Sequence, residues 1–140
     1  LVIFFSIYTF IGKDFTPAVI NEVQKDSPAM AGGLRQNDIV LEIDGNKVES
    51  LPEELRHIYF DMCVNQGRGR AVKILQKAAN AKGKNLKVDG GLGPKTIAAM
   101  DGVELDRVRA YRIKYYADLV TRKPDLEKFY YGWFRRGLEV

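Results

Sequence analysis

The 140-residue chain is 46% hydrophobic and 29% charged, a composition that suits a folded globular protein and excludes a disordered tail. Its formal charge of +4 is unevenly spread. Residues 1–50 hold four Lys/Arg against seven Asp/Glu, residues 51–140 eighteen against eleven, so the two parts carry −3 and +7. One cysteine, Cys63, excludes an internal disulfide, and no CxxC or Cys/His cluster offers a metal site, so no metal or other cofactor is expected.

The chain opens on an apolar run, Leu1 to Gly12, and the absence of an initiating Met reads as a fragment or an internal segment. A membrane-spanning helix needs roughly 20 residues, and this run is shorter. No basic stretch precedes it and no small-residue cleavage site follows, so it is a poor signal peptide. Two readings stay open for residues 1–16. They are a buried strand or helix, or the end of a transmembrane helix, with membrane contact through residues 1–12.

Residues 17–50 predict β-structure. Val19, Ile20 and Val23 suit a strand over Pro17–Val23. Ser27 and Pro28 supply an N-cap and a first helical position, and Gly32-Gly33 end that short helix. Ile39–Ile43 is a second strand, Asp44-Gly45 a tight turn, and Val48 opens a third extended piece. The order Ser27-Pro28-Ala29, Gly33-Leu34, Asp38, Ile43-Asp44-Gly45 and Val48 resembles the first half of a bacterial PDZ domain, most closely that of site-2 membrane zinc proteases. The likeness departs at Gly32, where the pattern usually has Ala, and it stops at Ser50. A PDZ domain takes peptides by adding a strand to a sheet edge beside a helix. With its second half missing, the resemblance implies no competent peptide groove. The proteases' HExxH zinc motif does not occur in the chain.

Residues 51–140 predict helices around a glycine-rich loop. Pro52, Glu53 and Glu54 start a helix whose buried face is Leu55, Ile58, Tyr59, Met62 and Cys63. His57 and Cys63, six residues apart, fall on different faces and do not form a nucleophile pair. A second helix runs from Arg68 to Ala79 with Arg70, Lys73 and Lys77 outward, and Ala81–Val88 is a lysine-rich connection. Pro94 begins a short helix to Met100, a long helix covers Leu105–Arg122, and a last one carries Phe129, Trp133 and Phe134.

Several spacings in this part resemble one family. They are Phe60-Asp61-Met62 with Val64-Asn65 and Gly67, Ala71 with Leu75-Gln76, Val88-Asp89-Gly90 with Gly93-Pro94-Lys95-Thr96, Arg112 with Tyr115-Tyr116, and Phe129 to Arg136. The pattern is similar to the C-terminal, predicted peptidoglycan-binding region of glycoside hydrolase family 108 muramidases, lysozyme-like proteins of phages and Gram-negative bacteria. The resemblance implies a peptidoglycan partner and a site of action at the cell wall, whether in the cell envelope or periplasm or from a phage-encoded protein. The family's catalytic Glu-Gly-Gly-Tyr motif does not occur in this chain.

The fold class expected is α+β, with residues 17–50 as a partial PDZ-like segment and residues 51–140 as a helical peptidoglycan-binding domain. The function expected is wall binding by a muramidase or endolysin-type module. Its candidate ligand residues are Asn65, Gln76, Lys95, Tyr130, Tyr131, Trp133 and Arg135, aromatic faces for sugar rings and polar groups for amides and carboxylates. Four of them have an alternative: Trp133 and Tyr130, with Phe129, pin the last helix to the core, and Asn65 and Gln76 bond turn backbone. A lysine stretch of Lys73, Lys77, Lys82, Lys84 and Lys87 offers a positive face. No helix-turn-helix or RNP pattern supports nucleic acid. Two other functions stay open: a muramidase using Asp61 with Glu53 or Glu54, and a peptide-binding regulatory fragment led by the PDZ-like part. The abrupt change at Ser50–Leu51, without a flexible linker, reads as an artificial or accidental join, with a genuine gene fusion left open.

Overall fold

The computed structural model describes residues 18–20, 23, 25, 28–43 and 45–140. The apolar segment 1–16, the Ser27 cap and Asp44 of the expected turn lie outside the described residues. Among the described residues no helix is long and apolar enough to cross a membrane.

The chain is α+β, a small β segment followed by helices. Strand β1 (Ala18–Val19) pairs antiparallel with β2 (Ile39–Val40), Ala18 opposite Val40 and Val19 opposite Ile39. Strand β3 (Glu42–Ile43) pairs with β4 (Asn46–Lys47) as a tight hairpin. The expected single strand over Ile39–Ile43 is therefore interrupted at Leu41, and its halves serve two ladders. Between β1 and β2 lies α1 (Pro28–Ala31), closed by a bond from the Gly33 amide to the Met30 carbonyl. The extended third piece expected from Val48 is corrected. Val48–Ser50 form a 3-10 turn, closed by the Ser50 hydroxyl on the Lys47 carbonyl at 2.6 Å and by the Leu51 amide on the Val48 carbonyl at 3.2 Å. That turn buries both Val48 and Leu51.

The helical part comprises α2 (Glu53–Gln66), α3 (Arg68–Ala81), α4 (Pro94–Ala99), α5 (Leu105–Arg122) and α6 (Glu127–Glu139). Helices α2 and α3 form a hairpin about Gly67, and α5 lies between α3 and α6. A 3-10 turn at Pro124–Leu126 reverses the chain between α5 and α6. The lysine-rich connection after α3 is anchored rather than loose: the Asn80 amide donates to the Leu86 carbonyl and accepts from the Leu86 amide, both at 2.8 Å.

One apolar cluster runs through the molecule. Ile20, Val40 and Val48 of the β segment bury with Leu51, Leu55 and Ile58 and with Ala71, Leu75 and Ala78 of α3. The change of sequence character at Ser50–Leu51 is thus not a structural gap. Side chains on either side of it leave water together, and that burial is what holds the β segment on α2.

Gly90 is the point of tightest backbone approach. Its φ is +82°, and a Cβ there would sit 2.9 Å from the Gly69 carbonyl oxygen of α3. Gly90→Ala combines a left-handed backbone with a backbone clash, so it should lower stability by at least about 1–2 kcal/mol. A urea-denaturation midpoint measured against the parent checks this.

Candidate functional site

The glycine-rich loop is organised by a buried amide. Gln76 of α3 is 1% exposed. Its Nε2 donates to Asp89 Oδ1 at 2.9 Å and lies 3.2 Å from both the Gly91 carbonyl and Thr96 Oγ1, while its Oε1 accepts from the Gly90 amide at 3.0 Å. The Thr96 hydroxyl adds a bond to the Gly91 carbonyl at 3.0 Å. Asp89 accepts from Gln76 and from the Gly91 amide, and these bonds hold its carboxyl below the ordinary 3.8. Both ends of the Gln76 amide bond to groups inside the protein, the alternative to a ligand role that the sequence left open.

A second buried polar group ties three helices together. Arg112 of α5 is fully buried in the row Val108, Arg112, Tyr116, and its Nη2 donates to Asp61 Oδ2 of α2. Arg136 of α6 reaches the same carboxylate, with Nη2 2.6 Å and Nε 3.1 Å from Oδ1. Burial pushes the Asp61 carboxyl up; the hydrogen bond from Arg136 and the charges of Arg112 and Arg136 outweigh it and hold the pKa below 3.8. Asp61 is therefore a carboxylate kept ionised, the opposite of a general acid, which needs a raised pKa. Glu53 and Glu54 stand exposed in the first turn of α2.

The remaining sequence candidates fall into two groups. Asn65 is exposed near the end of α2 and bonds back to the Asp61 carbonyl at 2.8 Å, and Lys95 is exposed in the first turn of α4. Tyr130, Tyr131, Trp133 and Arg135 share α6 but not one face. Trp133 is half-buried and stacks on Tyr116 of α5, centroids 4.9 Å apart and planes 19° from parallel. Gly137 lets α6 approach closely, because a Cβ there would lie 3.0 Å from Ile113 Cγ1. Tyr131 points the other way and is 73% exposed, in one row with Phe134, Arg135 and Leu138 at helical spacing. Tyr130 is half-buried with its ring 6.4 Å from Phe134. Phe129, expected to pin the helix, is nearly half exposed and tilts against Trp133 at 5.9 Å. Arg135 pairs with Glu139 at 2.9 Å, an exposed contact that adds little stability.

One cleft was not anticipated as a site. A cleft of about 520 Å³ opens between α3 and α5, lined by Arg70, Lys73 and Lys77 on one wall and by Tyr111, Lys114 and Tyr115 among others on the opposite wall. Asp118, Thr121 and Arg122 complete the α5 wall. The outward lysines of α3 were legible from helical period. What sequence reasoning missed was the other wall, whose residues recur at the same 3 and 4 spacing. The expected lysine stretch also divides here. Lys82 turns away to Glu104 at 2.8 Å and to the Gly102 carbonyl, and Arg107 and Lys82 together hold Glu104 down at about 2. Among the described residues no group of His, Cys, Asp and Glu is placed to hold a metal ion.

Residues 70–138 match the family model of a predicted peptidoglycan domain, and residues 19–57 match that of a PDZ domain. These are the two segments to which the resemblances in the sequence pointed. The first match spans α3 to α6 and supports a peptidoglycan-binding module. The second runs through the β segment into the first turns of α2. A search among curated proteins finds no match to the chain.

Proposed function

We infer that the chain works as a peptidoglycan-binding module of the muramidase or endolysin type, acting at the cell wall, with α3–α6 as the binding unit. The observation that carries this reading is the coincidence of the peptidoglycan-domain match at 70–138 with one packed helical unit whose surface presents Tyr131, Phe134 and Arg135 together. Aromatic faces suit sugar rings and N-acetyl groups, and a neighbouring guanidinium suits amide and carboxylate oxygens. The domain division falls near residues 50 and 51 in this reading, with α2 serving both sides. The PDZ-like segment then acts as a cap on α2, since Ile20, Val40 and Val48 are spent in the shared core.

Retention on purified, insoluble peptidoglycan tests the reading. The parent chain should sediment with the wall material. Tyr131→Ala, which removes an exposed ring without touching the core, should weaken retention by roughly 2–10-fold, the equivalent of about 0.5–1.5 kcal/mol for one aromatic contact. A parent chain that stays in the supernatant sinks the proposal. The alternative of an active lysozyme-like enzyme meets a specific obstacle at Asp61, whose two arginine partners favour the ionised form.

A further inference from the structure

We propose that the cleft between α3 and α5 is a carboxylate-binding subsite that takes the peptide stems of the wall polymer. The proposal rests on the wall-binding reading and adds to it the part of the polymer that is recognised. Every lining residue, from Arg70 to Arg122, lies within the segment matched to the peptidoglycan domain. The volume of about 520 Å³ falls within the roughly 300–1,000 Å³ of small-ligand sites.

Charge identifies the ligand class. Arg70, Lys73, Lys77, Lys114 and Arg122 line the cleft against a single acid, Asp118. Asp118 is engaged by Lys114 at 3.5 Å. The Arg70 and Arg122 side chains bond backbone carbonyls, of Gln66 at 3.1 Å and of Asp118 at 3.1 Å, which orients them without neutralising them. Like charges crowded between two helices repel, and an anion relieves that repulsion while focusing the field in a walled site. The glycan's rings are largely uncharged where the lactyl groups are amide-linked, whereas the stem peptides carry free carboxylates. Tyr111 and Tyr115 add apolar ring surface and hydroxyl donors, which a short peptide uses and a bare inorganic anion does not.

The cleft is also too local for a nucleic-acid track. Arg70 to Lys77 covers about 10 Å of helix. Beyond it Lys82 is paired with Glu104, and Asp118 sits in the opposite wall. Tyr115 of the cleft wall meets Tyr116 edge-on at 5.5 Å, and Tyr116 stacks on Trp133 of α6. The cleft and α6 are thus joined through one row of rings that ends at Trp133, on the side of α6 facing α5 and away from Tyr131.

The test uses the full chain with three probes: intact sacculi, glycan strands stripped of peptide by an amidase and with the freed lactyl carboxyls converted to simple amides, and a soluble stem tetrapeptide. A single-stranded oligonucleotide serves as competitor. The variant is Lys73→Glu/Lys77→Glu, two exposed side chains, with Lys84→Glu/Lys87→Glu as the charge-matched control outside the cleft. The expected result is tetrapeptide binding that the double variant weakens by about tenfold or more and the control leaves intact, with weaker retention on stripped glycan than on sacculi. Equal retention on stripped and intact material, with no tetrapeptide binding, overturns the subsite while leaving wall binding standing. Binding to none of the three overturns both. Displacement by the oligonucleotide, lost in the double variant without any tetrapeptide binding, replaces the proposal with a nucleic-acid site.

Discussion

Asp61→Ala should cost about 3–5 kcal/mol of stability, because it strands a buried guanidinium. Arg112 is 0% exposed, and its Nε and Nη1 have no hydrogen-bond partner among the described residues, so Asp61 supplies the compensation for its charge. Arg136, half exposed, can return to water; Arg112 cannot. Against the 5–15 kcal/mol of an ordinary domain such a loss leaves little margin. Denaturant titration of the variant measures it. The double variant Asp61→Leu/Arg112→Met should recover much of the loss, since apolar residues of similar size replace buried ion pairs at small net cost. Failure of the double variant to recover would show that the cluster carries something beyond charge compensation.

The same group sets an acid limit on the fold. Asp61 has a folded pKa below its ordinary 3.8, so the folded state binds its proton less readily than the unfolded chain. Its contribution is fully present above about pH 4 and is lost as the pH falls through the lower, folded value. Stability measured from pH 6 downward should decline in that window, and Asp61→Asn should flatten this part of the decline.

Gln76→Leu should cost about 3 kcal/mol, the upper end of what a stranded buried polar group costs. The Gly90 amide loses its acceptor, and the Asp89 carboxylate and Gly91 carbonyl lose a donor. The damage should concentrate in the loop, with amide hydrogen exchange at Gly90 and Gly91 accelerating more than at α5. Gln76→Glu separates shape from hydrogen bonding. It keeps an acceptor for Gly90 but places a second carboxylate against Asp89, so it should be destabilised at neutral pH and partly recover as the pH falls and the pair gains a proton. A Gln76→Glu variant as stable at pH 7 as the parent would show that the amide does not anchor the loop.

These two residues show where sequence reading stops. Helical period alone placed Leu55, Ile58, Tyr59 and Met62 on the inner face of α2, and those four are buried. Period also put Arg70, Lys73 and Lys77 outside, and capping chemistry located Pro94 at the start of α4. Such features depend on neighbours three or four residues away, and a sequence displays those directly. The partners of Asp61 lie 51 and 75 residues away, and those of Gln76 between 13 and 20. No local pattern distinguishes an amide aimed at a ligand from one aimed at a loop.

The charge asymmetry illustrates the same division. The sequence by itself determined that residues 51–140 are basic, that they form amphipathic helices, and that two family patterns adjoin near residue 50. Only the tertiary structure decided which cations act together. It gathered Arg70, Lys73 and Lys77 with Lys114 and Arg122 across a cleft, removed Lys82 to Glu104, and buried Arg112 against Asp61. The physical reason is that a side chain's charge is a property of the residue, whereas its field depends on the walls and partners around it. Those are set by how α3, α5 and α6 pack.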